Sequence, residues 1–218
     1  EYTIHQAIAD DQAVARFTRR QLRRREDWQV WKEAEWKQLK SYYTQDMFGK
    51  PIPRPPKATV LPFVWTYLFK DGIKPKARGT CNGGKRYGKA VTLAHTYASC
   101  VEQPGARIFW SLAALHGMTV LGADAGNAFA EAPPPIQPFY MAIDEQFRTW
   151  WTELLGNDPI PAGAVLPVKH ALQGHPEAPR LWEKHIVEIL ENLGFKSTTH
   201  ERCIYQKTVA GQKVLFLR

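Results

Sequence analysis

The sequence predicts an α+β fold. Its 218 residues are 44% hydrophobic, which is enough to supply a substantial core. Helical and β-rich segments follow each other in the order helix, hairpin, helix, strand, helix, strand, helix and hairpin. Turn dipeptides mark both hairpins, at Asp71-Gly72 and at Ala210-Gly211. This mixture of separate helices and hairpins is typical of the α+β class.

Four segments have the periodicity of amphipathic helices. The first covers residues 28–50, between the N-cap Asp27 and Gly49, with a predicted stripe of Trp28, Trp31, Glu35, Leu39 and Tyr42. The second covers residues 104–118 and ends near Gly117, with an apolar face of Ile108, Leu112 and Leu115. The third covers residues 144–156. The fourth covers residues 177–195, with an apolar face of Leu181, His185, Ile186, Ile189, Leu190 and Leu193.

The remaining segments are predicted to be extended. Five prolines in residues 51–63 forbid a helix and indicate an extended connector. A hairpin follows, with a cationic second strand. Residues 118–124 are predicted as a short buried strand that ends on Asp124, and residues 138–143 and 165–172 as further strands. Residues 202–209 and 212–218 form the closing hairpin.

Composition limits the class of protein. The net charge of +8 favours a polyanionic partner, because lysine and arginine release counterions from phosphates. Cys81, Cys100 and Cys203 are widely spaced, which indicates buried thiols rather than a disulfide or zinc framework. Neither a signal peptide nor an apolar run of membrane-spanning length is present, so we expect a protein that is neither secreted nor membrane-bound.

Three short motifs lie in order along the chain. They are Lys76-Ala77-Arg78, the segment Asp124-Ala125-Gly126-Asn127-Ala128-Phe129, and Ala171–Trp182, which reads ALQGHPEAPRLW. In this order they resemble the polymerase motifs of the reverse transcriptase of copia-type LTR retrotransposons. The resemblance covers about residues 28–218, and the third motif is the most specific.

The resemblance implies the fingers and partial palm of a right-hand polymerase. Residues 1–27 would be a polar, basic N-terminal segment, residues 28–117 the first helix and the fingers, and residues 118–218 the palm. The partners would be an RNA or DNA template-primer, deoxynucleoside triphosphates and the rest of a Pol polyprotein. The location would be cytoplasmic, in a virus-like particle, or nuclear.

The resemblance also assigns site residues. Asp124 would be the catalytic carboxylate and, with the carbonyl of Ala125, a ligand of Mg²⁺ or Mn²⁺. Backbone amides of Gly126, Asn127 and Ala128 would meet the phosphates, and Phe129 would exclude a 2′-hydroxyl. Lys76 and Arg78 would neutralise the triphosphate, and Gln173 and Gly174 would contact nucleotide and template. His170 and His175 are interpreted as surface or packing residues.

Each assignment has a structural alternative: Asp124 as a strand-end cap, Phe129 as core, and Lys76 with Arg78 as a solvated strand face. A second function is a non-catalytic nucleic-acid-binding module. A third function, that of an unrelated phosphotransferase, is disfavoured because no G-x-x-x-x-G-K loop is present.

In the family a Val-Asp-Asp hairpin supplies the other carboxylates, and this sequence contains no Val-Asp-Asp. We therefore expect a fragment that is inactive as an isolated chain.

Overall fold

A computed structural model describes residues 17–70, 74–84 and 92–218. Its first part forms two helices and four strands: α1 (Arg19–Leu22), α2 (Trp28–Thr44), β1 (Ile52–Pro53), β2 (Val60–Leu61), β3 (Phe63–Lys70) and β4 (Lys74–Cys81). Strands β3 and β4 pair antiparallel over their whole length. The predicted hairpin is therefore confirmed, and its turn at Asp71-Gly72 lies outside the described residues.

The second part alternates short strands with helices. It forms α3 (Leu93–Thr96), α4 (Gln103–Leu115), a 3₁₀ helix (Ala128–Glu131), β5 (Tyr140–Ala142), α5 (Glu145–Thr149), a π-helical turn (Trp150–Leu154), β6 (Ala164–Pro167), α6 (Ala178–Asn192), β7 (Lys196–Ser197), β8 (Ile204–Val209) and β9 (Gln212–Leu217). The predicted α+β class is confirmed. None of the helices in the described part of the chain is long and apolar enough to cross a membrane.

A four-stranded mixed sheet lies at the centre, in the order β1-β6-β5-β2. Strand β2 runs parallel to β5, and the other neighbours are antiparallel. The largest buried cluster packs around it and includes Leu39 and Tyr42 of α2, Leu61, Met141 and Leu166. The sheet takes two strands from before residue 117 and two from after it, so the predicted fingers and palm segments share one core.

Helix α2 buries the stripe that its periodicity predicts. Trp31, Glu35, Leu39 and Tyr42 are buried, and Trp28 is half-buried. The helix ends at Thr44 rather than near Gly49, because the following residues pair with the end of β6. The amide of Lys169 donates to the carbonyl of Met47 at 3.0 Å. Tertiary pairing has overridden the local helical preference here.

Two buried carboxylates are held by ion pairs. Glu35 accepts from the Arg19 guanidinium at 2.9 Å and from the Tyr67 hydroxyl at 2.6 Å, which ties α1 and the hairpin to α2. Glu183 on α6 accepts from Arg180 and from Arg218, the latter at 2.9 Å. Burial of a carboxylate is tolerated because each one is paired and hydrogen-bonded.

One prediction for the middle of the chain is wrong. Residues 118–124 form no strand and are mostly exposed, because a strand needs a pairing partner and none of the described strands pairs with them. The predicted apolar face of α4 is present but exposed: Ile108 is 56% and Leu115 is 77% exposed. Helix α4 itself forms as predicted, with Pro104 in its first turn.

Candidate functional site

The predicted triphosphate contacts Lys76 and Arg78 lie on one face of the β3–β4 hairpin. They are two residues apart in β4, so their side chains leave the same side of the strand. Lys76 lies opposite Leu68 and Arg78 lies opposite Thr66 in the register. Arg78 is exposed. The hairpin therefore presents two neighbouring cations.

The other face of β4 attaches the hairpin to α2. Ala77 is buried in a cluster with Trp31 and Tyr67. The hydroxyl of Tyr42 donates to the carbonyl of Gly79 at 2.6 Å. Small residues on this face let the hairpin approach the helix closely, while the two cations point away from it. This geometry explains why an alanine separates Lys76 from Arg78.

The turn at Gln173 and Gly174 docks onto the end of β4. The amide of Cys81 donates to the carbonyl of Gln173 at 2.8 Å. Gly174 has a φ of +94°, and a Cβ there would lie 2.0 Å from the carbonyl oxygen of Cys81. A Cβ at Gly83 would lie 2.4 Å from the carbonyl oxygen of Gly174. Only glycine allows these two backbones to approach so closely.

Asp124 lies in an irregular, exposed segment between α4 and the 3₁₀ helix. Among the described residues its carboxylate has no hydrogen-bond or ion-pair partner, so it is available to solvent and to cations. It is not a strand-end cap, because the strand it would cap is not formed. Ala125 and Gly126 beside it are exposed as well.

The residues after Asp124 are anchored to the end of α2. Asn127 adopts the left-handed conformation with a φ of +54°, which asparagine tolerates better than most residues. Its side-chain amide donates to Gln45, and the Gln45 amide donates to Glu131 at 3.3 Å. This chain of side-chain amides fixes the start of the 3₁₀ helix, where Ala128 is half-buried.

Phe129 packs against the third motif. Ala132, Ala171 and Ala178 form a fully buried cluster, and Phe129 and Trp182 cover it. The amide of Ala171 donates to the carbonyl of Ala132 at 3.0 Å, which fixes the two segments side by side. Phe129 is half-buried rather than fully buried.

The structure therefore brings the second motif against the third through side-chain packing, and the third against the end of the hairpin strand through a backbone hydrogen bond. The second motif meets the third at Phe129, and the third meets the end of the hairpin strand at Gly174. Asp124 itself is not part of these contacts. The predicted site residues share one assembly, although Asp124 extends from it on an exposed loop.

The donor set suits a divalent cation only in part. Asp124 supplies carboxylate oxygens and Ala125 a neighbouring carbonyl, and Mg²⁺ prefers such oxygen ligands. Six ligands are needed for octahedral coordination, however, and the described residues contain no group of three or more His, Cys, Asp and Glu side chains that could hold a metal ion. A cation bound at Asp124 would complete its shell with water and phosphate oxygens.

An open groove separates residues 118–121 from β9. Its volume is about 760 Å³, and Val120 and Leu121 face Val214 and Leu215 across it. Strand β9 pairs with β8 alone among the described strands. The amide of Arg218 points to β8, where it donates to Cys203 at 2.9 Å, so the alternate residues Lys213, Leu215 and Leu217 turn their backbone groups away from β8.

Two titratable side chains near the docked turn are structural. Burial raises the pKa of the Cys81 thiol to about 12, so this thiol is unreactive near neutral pH. Burial lowers the pKa of His175 to about 4, and its ring stacks on Phe139 with 4.6 Å between centroids. The interpretation of His175 as a packing residue agrees with this geometry.

Sequence reasoning missed the residues that support the site. Gln45 and Glu131 carry no motif, and only their position beside Asn127 reveals their role. The glycine-rich stretch GTCNGGKRYGK at residues 79–89 was a partial indication of the close approach of Gly83 to Gly174. Residues 85–89 of this stretch lie outside the described residues.

Comparison with known proteins does not assign the chain to a family. No protein-family model, curated protein or solved structure matches it.

Proposed function

We propose that the chain is the fingers and palm region of an RNA-directed DNA polymerase similar to those of copia-type retrotransposons. The observation that supports this function best is that the second motif packs on the third, which docks onto the end of the strand that carries the first. Phe129 packs against Ala171 and Ala178, and Gly174 docks onto Cys81 at the end of the strand that carries Lys76 and Arg78.

Each residue has a role in this proposal. Asp124 would hold a divalent cation, which would supply activation of the primer hydroxyl and neutralisation of phosphate charge. Lys76 and Arg78 attract the triphosphate. Gln173 and Gly174 place the nucleotide against the template, and the exposed edge of Phe129 contacts the sugar. Mg²⁺ or Mn²⁺ is the expected ion.

Binding rather than turnover is the property to measure first. Two cations held about 4 Å apart repel each other and need several carboxylates, whereas the segment of Asp124 offers one. We therefore expect the chain alone to bind metal and nucleotide weakly and to give no measurable primer extension.

Metal-dependent nucleotide binding tests the role of Asp124. Titration of Mn²⁺ by electron paramagnetic resonance, with and without a deoxynucleoside triphosphate, should show that Asp124→Asn weakens the nucleotide-dependent binding. Asp158→Asn is the matched control, because Asp158 is also exposed and its replacement removes the same charge. Equal binding by both variants would refute the assignment of Asp124.

The second candidate is a non-catalytic nucleic-acid-binding module. The net charge of +8 and the exposed Arg78 favour it equally well. In that case Arg78→Ala weakens template-primer binding in an anisotropy titration, and Asp124→Asn leaves both metal and nucleotide binding unchanged. Lys196→Ala, which removes an exposed charge from β7, controls for net charge.

A further inference from the structure

A second groove lies on the far side of α6 from the Phe129 cluster. It has a volume of about 550 Å³ and is bounded by α6, the loop at residues 197–199 and the end of β9. Four cationic side chains line it, namely Arg180, Lys184, Arg202 and Arg218, against two carboxylates, Glu183 and Glu191. The groove therefore carries an excess of two positive charges.

The buried ion pair at its base orients two of these cations. Glu183 is only 5% exposed and accepts from Arg180, from Arg218 at 2.9 Å and from the amide of Ser99 at 3.1 Å. One carboxylate shared by two guanidinium groups leaves one positive charge uncompensated. Because both side chains are already fixed, a ligand would not have to order them.

The rim adds cations that are free to bind. Lys184 and Arg202 are exposed, and neither forms a hydrogen bond or an ion pair through its side chain with another described residue. The hydroxyl-bearing residues Ser197 and Thr199 also line the groove. Oriented guanidinium groups, a mobile ammonium and hydroxyls are the combination that binds phosphate oxygens.

We propose that this groove binds backbone phosphates of a nucleic acid. The groove is open and several times larger than a single phosphate, so it suits a continuous polyanion. The chain's net charge of +8 provides the long-range attraction for such a ligand. The site is separate from the Lys76 and Arg78 face and does not depend on nucleotidyl transfer at Asp124.

Salt-dependent binding of a single-stranded oligonucleotide tests the proposal. Anisotropy titrations with labelled dT20 should show weaker binding by Lys184→Ala/Arg202→Ala than by the parent chain. The slope of log affinity against log salt should fall by about 1.4, because each lost phosphate contact to a single strand contributes about 0.7. Both residues are exposed, so the melting temperature should stay unchanged.

The control removes the same charge from a convex surface. Lys37 and Lys40 are exposed on α2, and Lys37→Ala/Lys40→Ala should leave the slope within experimental error. An equal decrease for both double variants would show a general charge effect and overturn the proposal. Inorganic phosphate is the second probe: if it binds the groove while dT20 affinity is unaffected by Lys184→Ala/Arg202→Ala, the groove is a small-anion site and the nucleic-acid assignment fails.

Discussion

At the level of single residues, Gly174 is the described glycine at which an added Cβ would meet the shortest contact. Its φ of +94° and the 2.0 Å distance from a hypothetical Cβ to the Cys81 carbonyl oxygen oppose any side chain. The obstacle is backbone, which cannot rotate away as a flexible side chain could. Replacement would therefore separate the turn of the third motif from the hairpin strand.

We predict that Gly174→Ala destabilises the chain by about 3 kcal/mol or more, because steric overlap adds to left-handed strain. Gly156→Ala is the matched control: Gly156 has a φ of +65° and nothing within 4 Å of its Cβ position. Its cost should be about 1 kcal/mol, from strain alone. Urea unfolding of both variants measures the difference, and similar costs would mean that the close approach at Cys81 does not exist.

Glu183 gives the chain a defined acid sensitivity. Burial alone would raise the pKa of this carboxyl, but hydrogen bonds from Arg180, Arg218 and the Ser99 amide outweigh it and hold the pKa at about 2. A carboxyl whose pKa is lower in the folded state stabilises that state above its unfolded pKa. This contribution is lost as the pH falls from about 4.5 towards 2.

We predict that Glu183→Gln lowers stability at pH 7 by about 3 kcal/mol, because two guanidinium groups lose their buried partner. Its stability should then vary less with pH between 4.5 and 2 than that of the parent chain. Glu188→Gln, an exposed change on the same helix, should match the parent at every pH. Thermal melts across this pH range measure the difference. The prediction is contradicted if the stability of Glu183→Gln decreases with falling pH as steeply as that of the parent chain.

At the level of elements, α4 has an exposed apolar face. Ile108 and Leu115 lie on this face and are each more than half exposed, and Leu121 in the segment that follows is 89% exposed. Neighbouring apolar side chains at a surface associate with other apolar groups, because burial removes them from water. We expect this region to bind hydrophobic probes in the native state.

We predict that Ile108→Ser/Leu115→Ser reduces the native-state fluorescence of the dye ANS at least about twofold, since the patch loses two of its largest side chains. The melting temperature should hardly change, because both side chains are exposed. Ile136→Ser/Leu154→Ser removes two exposed apolar residues elsewhere and serves as the control. Equal loss of fluorescence in the two double variants would show that α4 forms no particular patch.

The elements that could be predicted are those with local signals. Helix α2 follows from the spacing of Trp31, Glu35 and Leu39, and the closing hairpin follows from Ala210 and Gly211, both of which have positive φ. The predicted strand at residues 118–124 does not form, because an apolar run becomes a strand only where a partner strand can pair with it. The apolar face of α4 was identified correctly, but periodicity does not say what covers a face.

The sequence motifs named candidate site residues but gave none of the contacts between them. The resemblance alone implied that Phe129 and the third motif belong to one site. The packing of Phe129 against Ala171 and Ala178 is the physical contact between them. The Gln45 anchor and the docking of Gly174 on Cys81 join segments that are distant in sequence. Short-range patterns contain no information about such pairs.

At the level of the whole molecule, the predicted fingers and palm segments depend on each other. Strand β1 pairs with β6, and β2 pairs with β5, so neither early strand has a described partner within residues 28–117. The main core cluster combines Leu39 and Leu61 with Met141 and Leu166. Division of the chain at residue 117 would expose both halves of this core and leave strand edges unpaired.

We predict that residues 17–117 produced alone lack a cooperative thermal transition, because the strands and core partners that they need lie after residue 117. The complete chain should unfold in one transition, with tryptophan fluorescence and far-ultraviolet circular dichroism giving the same midpoint. A mixture of residues 17–117 with residues 118–218 is the control, since association of the halves should restore part of the signal. A sharp transition in residues 17–117 alone would contradict the shared core and would favour two independent domains. Because Gly174 and Cys81 also lie on opposite sides of the division, the same experiment tests whether the hairpin strand and the third motif hold each other in place.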